Sequence, residues 1–117
     1  MLNKEIKDEI LHCLKKEKVH KIILFGSHAY GTPYSDSDID LLIVSEKEGM
    51  SRTYKEYLKN KNSISKKLLK IRKKYPIDLI VYTKDEWAFL KSSRTSFIRA
   101  IEEKGIDLLW KMERDPG

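Results

Sequence analysis

This chain of 117 residues has one cysteine, three prolines and five glycines, and it has no long apolar run. With Cys13 as the single thiol, it can form neither an internal disulfide nor a cysteine-rich zinc site. A helix that spans a bilayer needs roughly 20 consecutive apolar residues, and the first residues lack the apolar core of a signal peptide. We therefore expect a cytoplasmic protein without a membrane segment.

Charge is abundant but uneven. The net charge is +6, yet residues 51–75 carry ten Lys/Arg and one Glu, so this segment holds +9 and the remainder sums to −3. Three interpretations of the basic segment stay open: a solvated helix face, a nucleic-acid surface, or a docking site for an acidic protein. Nucleic acid is the less favoured partner, because the aromatic residues Tyr54 and Tyr57 fall at positions that packing needs.

Apolar spacing predicts a single domain over 1–110, followed by a flexible tail over 111–117. The predicted strands lie over 19–25, 39–44 and 77–82, with an edge strand over 106–110. The predicted helices lie over 3–17 and over 51–74, the second of them basic and divided at the polar residues 60–63, and a helical turn lies over 27–31. A last helix begins at the capping box of Thr83 and Glu86 and extends to 104. This order indicates an α/β (α+β) fold with a small mixed sheet of three to four strands flanked by helices.

The strongest chemical signal stands at the start of the second predicted strand. Asp38 and Asp40 point to the same face, about 6–7 Å apart along the chain. Asp40 lies within an apolar strand, where an ionised carboxylate is costly unless it is paired or metal-bound. Gly26 and Ser27 end the preceding strand and suit the close approach of a phosphate. Together these residues predict a Mg²⁺ site that faces the phosphates of a nucleotide.

Asp78 repeats the anomaly of a carboxylate in an apolar strand. If its strand neighbours the second strand, Asp78 joins Asp38 and Asp40, where it would bind a second metal ion or accept a proton from an attacking hydroxyl. A salt bridge to Lys or Arg is the alternative. Asp107 is a rival for the same role, but it lies in a short, late segment and is expected to be structural.

Two familiar loop motifs are excluded because residues that each motif requires are missing. Gly26 and Gly31 have the spacing of a Walker loop, but Thr32-Pro33 stands where that loop requires Lys followed by Ser or Thr. The run from Asp36 to Asp40 imitates the start of an EF-hand, but Leu41 replaces its glycine and Lys47 its final glutamate. Asp36 is therefore expected to be a turn or capping residue.

The pattern Gly26-Ser27, Gly31, Ser35-Asp36-Ser37-Asp38-Ile39-Asp40-Leu41, followed by a later apolar strand with an aspartate, resembles the DNA polymerase β-like nucleotidyltransferases. The match is to their minimal nucleotidyltransferase (MNT) branch. The resemblance implies that Gly26 and Ser27 hold a triphosphate, that Asp38 and Asp40 bind Mg²⁺, and that Asp78 completes the carboxylate trio. The chain departs from the family at His28 and Tyr30, where members often carry Arg.

The resemblance also implies a partner, because this chain has no second domain for an acceptor substrate. MNT proteins resemble the antitoxin half of two-protein modules whose other half is a helical HEPN ribonuclease toxin, and members transfer AMP from ATP to a toxin tyrosine. We therefore expect ATP, one or two Mg²⁺ ions and a HEPN-type toxin, while a second copy of the chain is another way to complete the site. The alternatives are an inactive fold that silences a partner by binding it, and a small-molecule or RNA nucleotidyltransferase.

Overall fold

The computed structural model describes residues 4–30 and 38–109. Its elements in chain order are α1 Lys4–Cys13, β1 Val19–Phe25, α2 Ser27–Tyr30, β2 Ile39–Ser45, α3 Tyr54–Lys67, α4 Leu69–Arg72, β3 Ile77–Tyr82, α5 Lys84–Ser93, α6 Ser96–Lys104 and β4 Ile106–Asp107. Asp36 and the predicted tail over 111–117 lie outside the described residues. Within the described part, no helix is both long and apolar enough to cross a bilayer.

The strand β2 lies in the interior of a four-stranded sheet with the order β3-β2-β1-β4. It pairs parallel with β3 and antiparallel with β1, and β1 in turn pairs antiparallel with β4. Parallel neighbours need a long crossover, which α3 and α4 provide between β2 and β3. The predicted small mixed sheet flanked by helices is confirmed.

Both faces of the sheet are covered by helices. On one face, which we call the α3 face, α1, α3 and α4 surround a core that includes Ile10, Leu14, Ile22, Leu24, Leu41, Ile43, Ile64, Leu68 and Ile71. On the opposite face, which we call the α5 face, α5 and α6 pack with Ile23, Phe25, Leu42, Val44, Trp87, Ile98 and Ile101. Because successive strand residues point to opposite faces, the apolar run of β2 supplies both cores.

Two predicted helices are divided at positions other than those expected. The basic helix breaks at Leu68 rather than over 60–63. Leu68 and Ile71 are both fully buried, so the chain turns where apolar packing requires it and not where polar residues cluster. The predicted helix to 104 is interrupted at Arg94, which has a left-handed φ of 52°. Thr95 then caps α6 by accepting a hydrogen bond from the Ile98 N–H, a start signal that the sequence interpretation missed.

The capping box at the start of α5 is confirmed and also holds the loop that follows β2. The Thr83 hydroxyl oxygen accepts from the Glu86 N–H at 3.1 Å and donates to the Gly49 carbonyl at 2.6 Å. The Glu86 carboxylate accepts from the backbone N–H groups of Thr83 and Ser51. Burial acts to raise the pKa of Glu86, but these hydrogen bonds outweigh it and lower the pKa below its usual value. The α5 helix is therefore anchored to the end of β2.

We expect Thr83→Ala to lower the free energy of unfolding by about 1–2 kcal/mol, because it removes a helix cap at a side chain that is only 2% exposed. Urea denaturation of the purified chain measures this loss. Thr53→Ala is the matched control, since Thr53 caps α3 through the Glu56 N–H but is exposed, so water can replace its bond. Equal losses in the two variants would contradict the burial argument.

Candidate active site

The register of the sheet brings two of the predicted carboxylates side by side. Asp40 on β2 is the direct partner of Asp78 on β3, and on its other side it is the partner of Phe25 at the end of β1. Neighbouring strands lie about 4.8 Å apart, and directly paired residues point to the same face. Asp40 and Asp78 therefore share the α5 face of the sheet, as the sequence predicted if the two strands were neighbours.

The three predicted carboxylates interact electrostatically. Burial raises the pKa of Asp40 above its usual value, and the charges of Asp78 and Asp38 raise it further, while His28 acts in the opposite direction. Asp38 and Asp78 are exposed and Asp40 is half-buried. The end of the sheet thus holds concentrated negative charge beside an apolar layer, where a cation would relieve the repulsion.

Gly26 lies directly against this carboxylate cluster. Its φ of +72° is a conformation that glycine adopts easily, and a Cβ added here would stand 2.0 Å from the Asp40 Oδ2. Ser27 begins α2, where the Ala29 N–H donates to the Gly26 carbonyl at 3.0 Å. The predicted Gly-Ser bend therefore exists, and the structure adds a reason for the glycine that the sequence interpretation lacked: Asp40 occupies the space of its side chain.

The side chains of this cluster are all carboxylates, which are ligands that Mg²⁺ accepts. Over residues 4–30 and 38–109, no group of three or more His, Cys, Asp or Glu side chains is arranged so that it could hold a metal ion. Mg²⁺ in nucleotide sites is usually held by one or two carboxylates together with phosphates and water. Asp38, Asp40 and Asp78 supply carboxylate oxygens at one end of the sheet, so the chemistry of one or two of them, completed by phosphates and water, fits this ion.

Asp107 is placed away from the cluster by the sheet order, because β4 pairs with β1 on the edge opposite β3. Its carboxylate lies 3.5 Å from the Lys21 Nζ and accepts a hydrogen bond from the Leu109 N–H at 3.0 Å. These contacts fix the short edge strand. The structural role expected for Asp107 is confirmed.

The basic segment lies on the other side of the sheet from the carboxylates. Its helices α3 and α4 pack on the α3 face, whereas Asp40 and Asp78 occupy the α5 face. Two of its lysines form ion pairs with acidic residues near the first helix, Lys67 with Glu17 at 3.4 Å and Lys74 with Glu9 at 3.3 Å. The two helices of the segment therefore pack away from the carboxylate cluster, while residues 73–75 connect them to β3 near Asp78.

Comparisons with known proteins agree on one family. The profile of the nucleotidyltransferase domain family matches residues 7–108. A Methanocaldococcus jannaschii protein that is provisionally named protein adenylyltransferase MJ0141 is 32% identical over 107 residues, which cover 90% of this chain and 93% of the relative.

Solved structures share the fold. A toxin–antitoxin crystal structure with AMP-PNP has a TM-score of 0.56 at 22% identity, covering 87% of this chain and 71% of the matched chain. A toxin–antitoxin MntA-HpeT mutant, in which two aspartates two positions apart are replaced by glutamate, has a TM-score of 0.56 at 21% identity. That match covers 92% of this chain and 73% of the other.

We expect Gly26→Ala to destabilise the protein by about 1–3 kcal/mol, because a strained backbone conformation is combined with a collision with Asp40. Thermal or urea denaturation measures the loss. Gly49→Ala is the control, since Gly49 also has a positive φ, of +88°, but has open space at its Cβ position. A loss for Gly26→Ala no greater than that for Gly49→Ala would show that Asp40 imposes no constraint.

We expect Asp40→Asn to stabilise the metal-free chain at neutral pH. Burial and the neighbouring carboxylates raise the pKa of Asp40 in the folded state, so the folded chain binds more protons than the unfolded chain between the two pKa values. Wild-type stability therefore falls as the pH rises through this window. The advantage of Asp40→Asn should be full at pH 7 and shrink towards pH ~4.

Denaturation in EDTA over this pH range tests the pattern. Asp8→Asn, at an exposed position of α1, is the control and should show no such trend. A variant at Asp40 that is destabilised equally at every pH would contradict the electrostatic explanation.

Proposed function

Because this chain belongs to the nucleotidyltransferase domain family, we propose that it is a Mg²⁺-dependent protein adenylyltransferase that transfers AMP from ATP to a tyrosine of a helical HEPN-type toxin. In this role the chain is the antitoxin. The observation that carries the proposal is the register that pairs Asp40 with Asp78 beside the Gly26 bend. Asp40 is half-buried in an apolar strand beside a second carboxylate, which is unfavourable for an ionised group unless a cation compensates the charge.

The proposed roles follow from position. Gly26 and Ser27 bind the triphosphate, since the backbone can approach closely at Gly26 and Ser27 adds a hydroxyl donor. Asp38 and Asp40 hold Mg²⁺, and Asp78 completes the carboxylate set on the neighbouring strand. His28, whose charge when protonated opposes the rise in the pKa of Asp40, stands at one of the positions where other members often carry Arg.

The chemistry is an in-line substitution at the α-phosphorus. The acceptor hydroxyl forms the new bond, the bond from the α-phosphorus to the pyrophosphate oxygen breaks, and pyrophosphate leaves. Asp78 is exposed and is the group we propose to accept the proton of the hydroxyl. Bound Mg²⁺ would offset the negative charge on the phosphate oxygens. Asp38 and Asp40 would hold the Mg²⁺ ion in place, and Gly26 with Ser27 would bind the pyrophosphate that leaves.

Two similarities support the choice of nucleotide and partner. The M. jannaschii relative, which is provisionally named as a protein adenylyltransferase, matches along 93% of its own length, so the similarity extends over nearly the whole of that relative. The structural neighbours are toxin–antitoxin complexes, one of them with AMP-PNP. In the MntA-HpeT mutant the two substituted aspartates have the spacing of Asp38 and Asp40 in this chain.

The position of the basic segment favours a protein acceptor over RNA. An enzyme that grips an RNA acceptor with 51–74 would need most of these cations near the carboxylates, but the helices that carry most of them pack on the opposite face of the sheet. Asp38 and Asp78 are exposed, so an incoming hydroxyl can reach the carboxylates at this end of the sheet. The acceptor is therefore proposed to approach from the α5 face.

We expect the chain to label the protein encoded by the neighbouring gene when it is incubated with Mg²⁺ and ATP labelled at the α-phosphate. ATP labelled at the γ-phosphate should transfer nothing, because that phosphate leaves with pyrophosphate. Asp38→Ala, Asp40→Ala and Asp78→Ala should each lower the rate by at least about 100-fold, and EDTA should abolish transfer until Mg²⁺ is restored. Mass spectrometry identifies the modified residue.

Asp107→Asn is the matched control, because its side-chain oxygen can still accept from the Leu109 N–H and it lies outside the carboxylate cluster. It should retain activity. Equal labelling by wild type and Asp38→Ala would remove the enzymatic proposal. A stable complex with the partner that survives Asp40→Asn, together with no ATP binding in calorimetry, would instead support a silent binding module.

A further inference from the structure

Phe97 is an exposed aromatic residue on the same side of the sheet as the carboxylates. It lies in the first turn of α6 and is 45% exposed. Phe89 on α5 is also exposed, at 63%. Single apolar residues on a protein surface are ordinary, so the location of Phe97, rather than its exposure, carries the argument.

A short chain of contacts connects Phe97 to the candidate active site. Its ring centroid lies 5.7 Å from that of Phe25. Phe25 is the strand partner of Asp40, and the side chains of directly opposed residues have their Cβ atoms about 4.5–5.5 Å apart. Gly26 follows Phe25 in the chain and touches the same carboxylate. The ring of Phe25 therefore connects Phe97 to the contact between Gly26 and Asp40.

The orientation of the two rings leaves Phe97 able to stack. The planes cross at 86°, an edge-to-face arrangement. In this geometry Phe25 covers at most one face of the Phe97 ring. Phe25 is nearly buried at 9% exposure, so it holds Phe97 in place while a flat face of the outer ring remains available to a ligand.

We propose that Phe97 is the surface on which the base of the bound nucleotide stacks, a role that rests on the function proposed above. In a nucleotide the ribose separates the base from the α-phosphate, so a base belongs at a short distance from the phosphate site and not within it. Phe97 occupies such a position relative to Gly26 and Asp40. Stacking on an aromatic ring tolerates any base, so this residue supplies affinity for nucleoside triphosphates over tripolyphosphate without selecting one base.

Calorimetry with the full chain and Mg²⁺ separates the base from the phosphates, with ATP and inorganic tripolyphosphate as the two probes. Wild type should bind ATP more tightly than tripolyphosphate. Phe97→Ala should weaken ATP roughly tenfold, the size of a lost base–aromatic stack, and leave tripolyphosphate binding unchanged. Phe97→Leu keeps an apolar contact with Phe25 but no flat ring, so it should weaken ATP too, whereas Phe97→Trp should retain it.

Phe89→Ala is the matched control and should bind both probes as wild type does. ATP binding by Phe97→Ala and Phe97→Leu at the wild-type affinity would overturn the inference while leaving the proposed function intact. Loss of both probes in these variants would also overturn it, because Phe97 would then support the fold or the phosphate site. Failure of wild type to bind either probe would overturn the proposed function and this inference with it.

Discussion

The close approach of the Gly26 backbone to the Asp40 carboxylate is the contact on which the candidate active site depends. The antiparallel pairing of β1 with β2 places Phe25 opposite Asp40. The residue after Phe25 is Gly26, and the Asp40 carboxylate occupies the space where a Cβ of that residue would lie. A Cβ there would force the Asp40 carboxylate to move, and the positive φ of Gly26, which glycine adopts easily, begins the turn that leads into α2. The same contact brings the bend that we propose to bind phosphate and the carboxylate that we propose to bind Mg²⁺ to one position.

The carboxylate cluster works against the stability of the fold. Burial and two like charges raise the pKa of Asp40. The ionised form of this carboxylate therefore destabilises the folded sheet at neutral pH. Stability is commonly sacrificed in this way at sites whose groups serve a ligand. A divalent cation with a nucleotide would reverse the balance, because it turns repulsion among carboxylates into attraction to a shared charge.

The two faces of the sheet have different functions in this interpretation. The α3 face carries the larger apolar core and the basic segment, whose cations partly pair with acidic residues near α1. The α5 face carries the carboxylates at one end and the aromatic pair Phe25–Phe97 beside them. The capping box at Thr83 and Glu86 secures α5 to the loop after β2 through hydrogen bonds between its side chains and main-chain groups of that loop.

Local sequence signals predicted much of this architecture. Strand bounds over 19–25 and 77–82 and the capping box at Thr83 were predicted correctly, because apolar runs and side-chain caps act over a few residues. The helix breaks were predicted less well. The break at Leu68 follows the packing of buried side chains from distant segments. The break at Arg94 depends on a left-handed backbone conformation, which is usually predicted from a glycine, and this position has none.

The sequence by itself determined which residues can carry the chemistry, since a carboxylate within an apolar strand is unfavourable in any fold and a Gly-Ser pair after a strand forms a bend locally. The tertiary structure alone decided which of them meet. Asp78 lies beside Asp40, and Asp107 does not, because β3 and β4 occupy opposite edges of the sheet. Phe97 reaches Phe25 for the same reason: pairing and packing between segments far apart in the chain depend on the whole core, which short-range patterns do not encode.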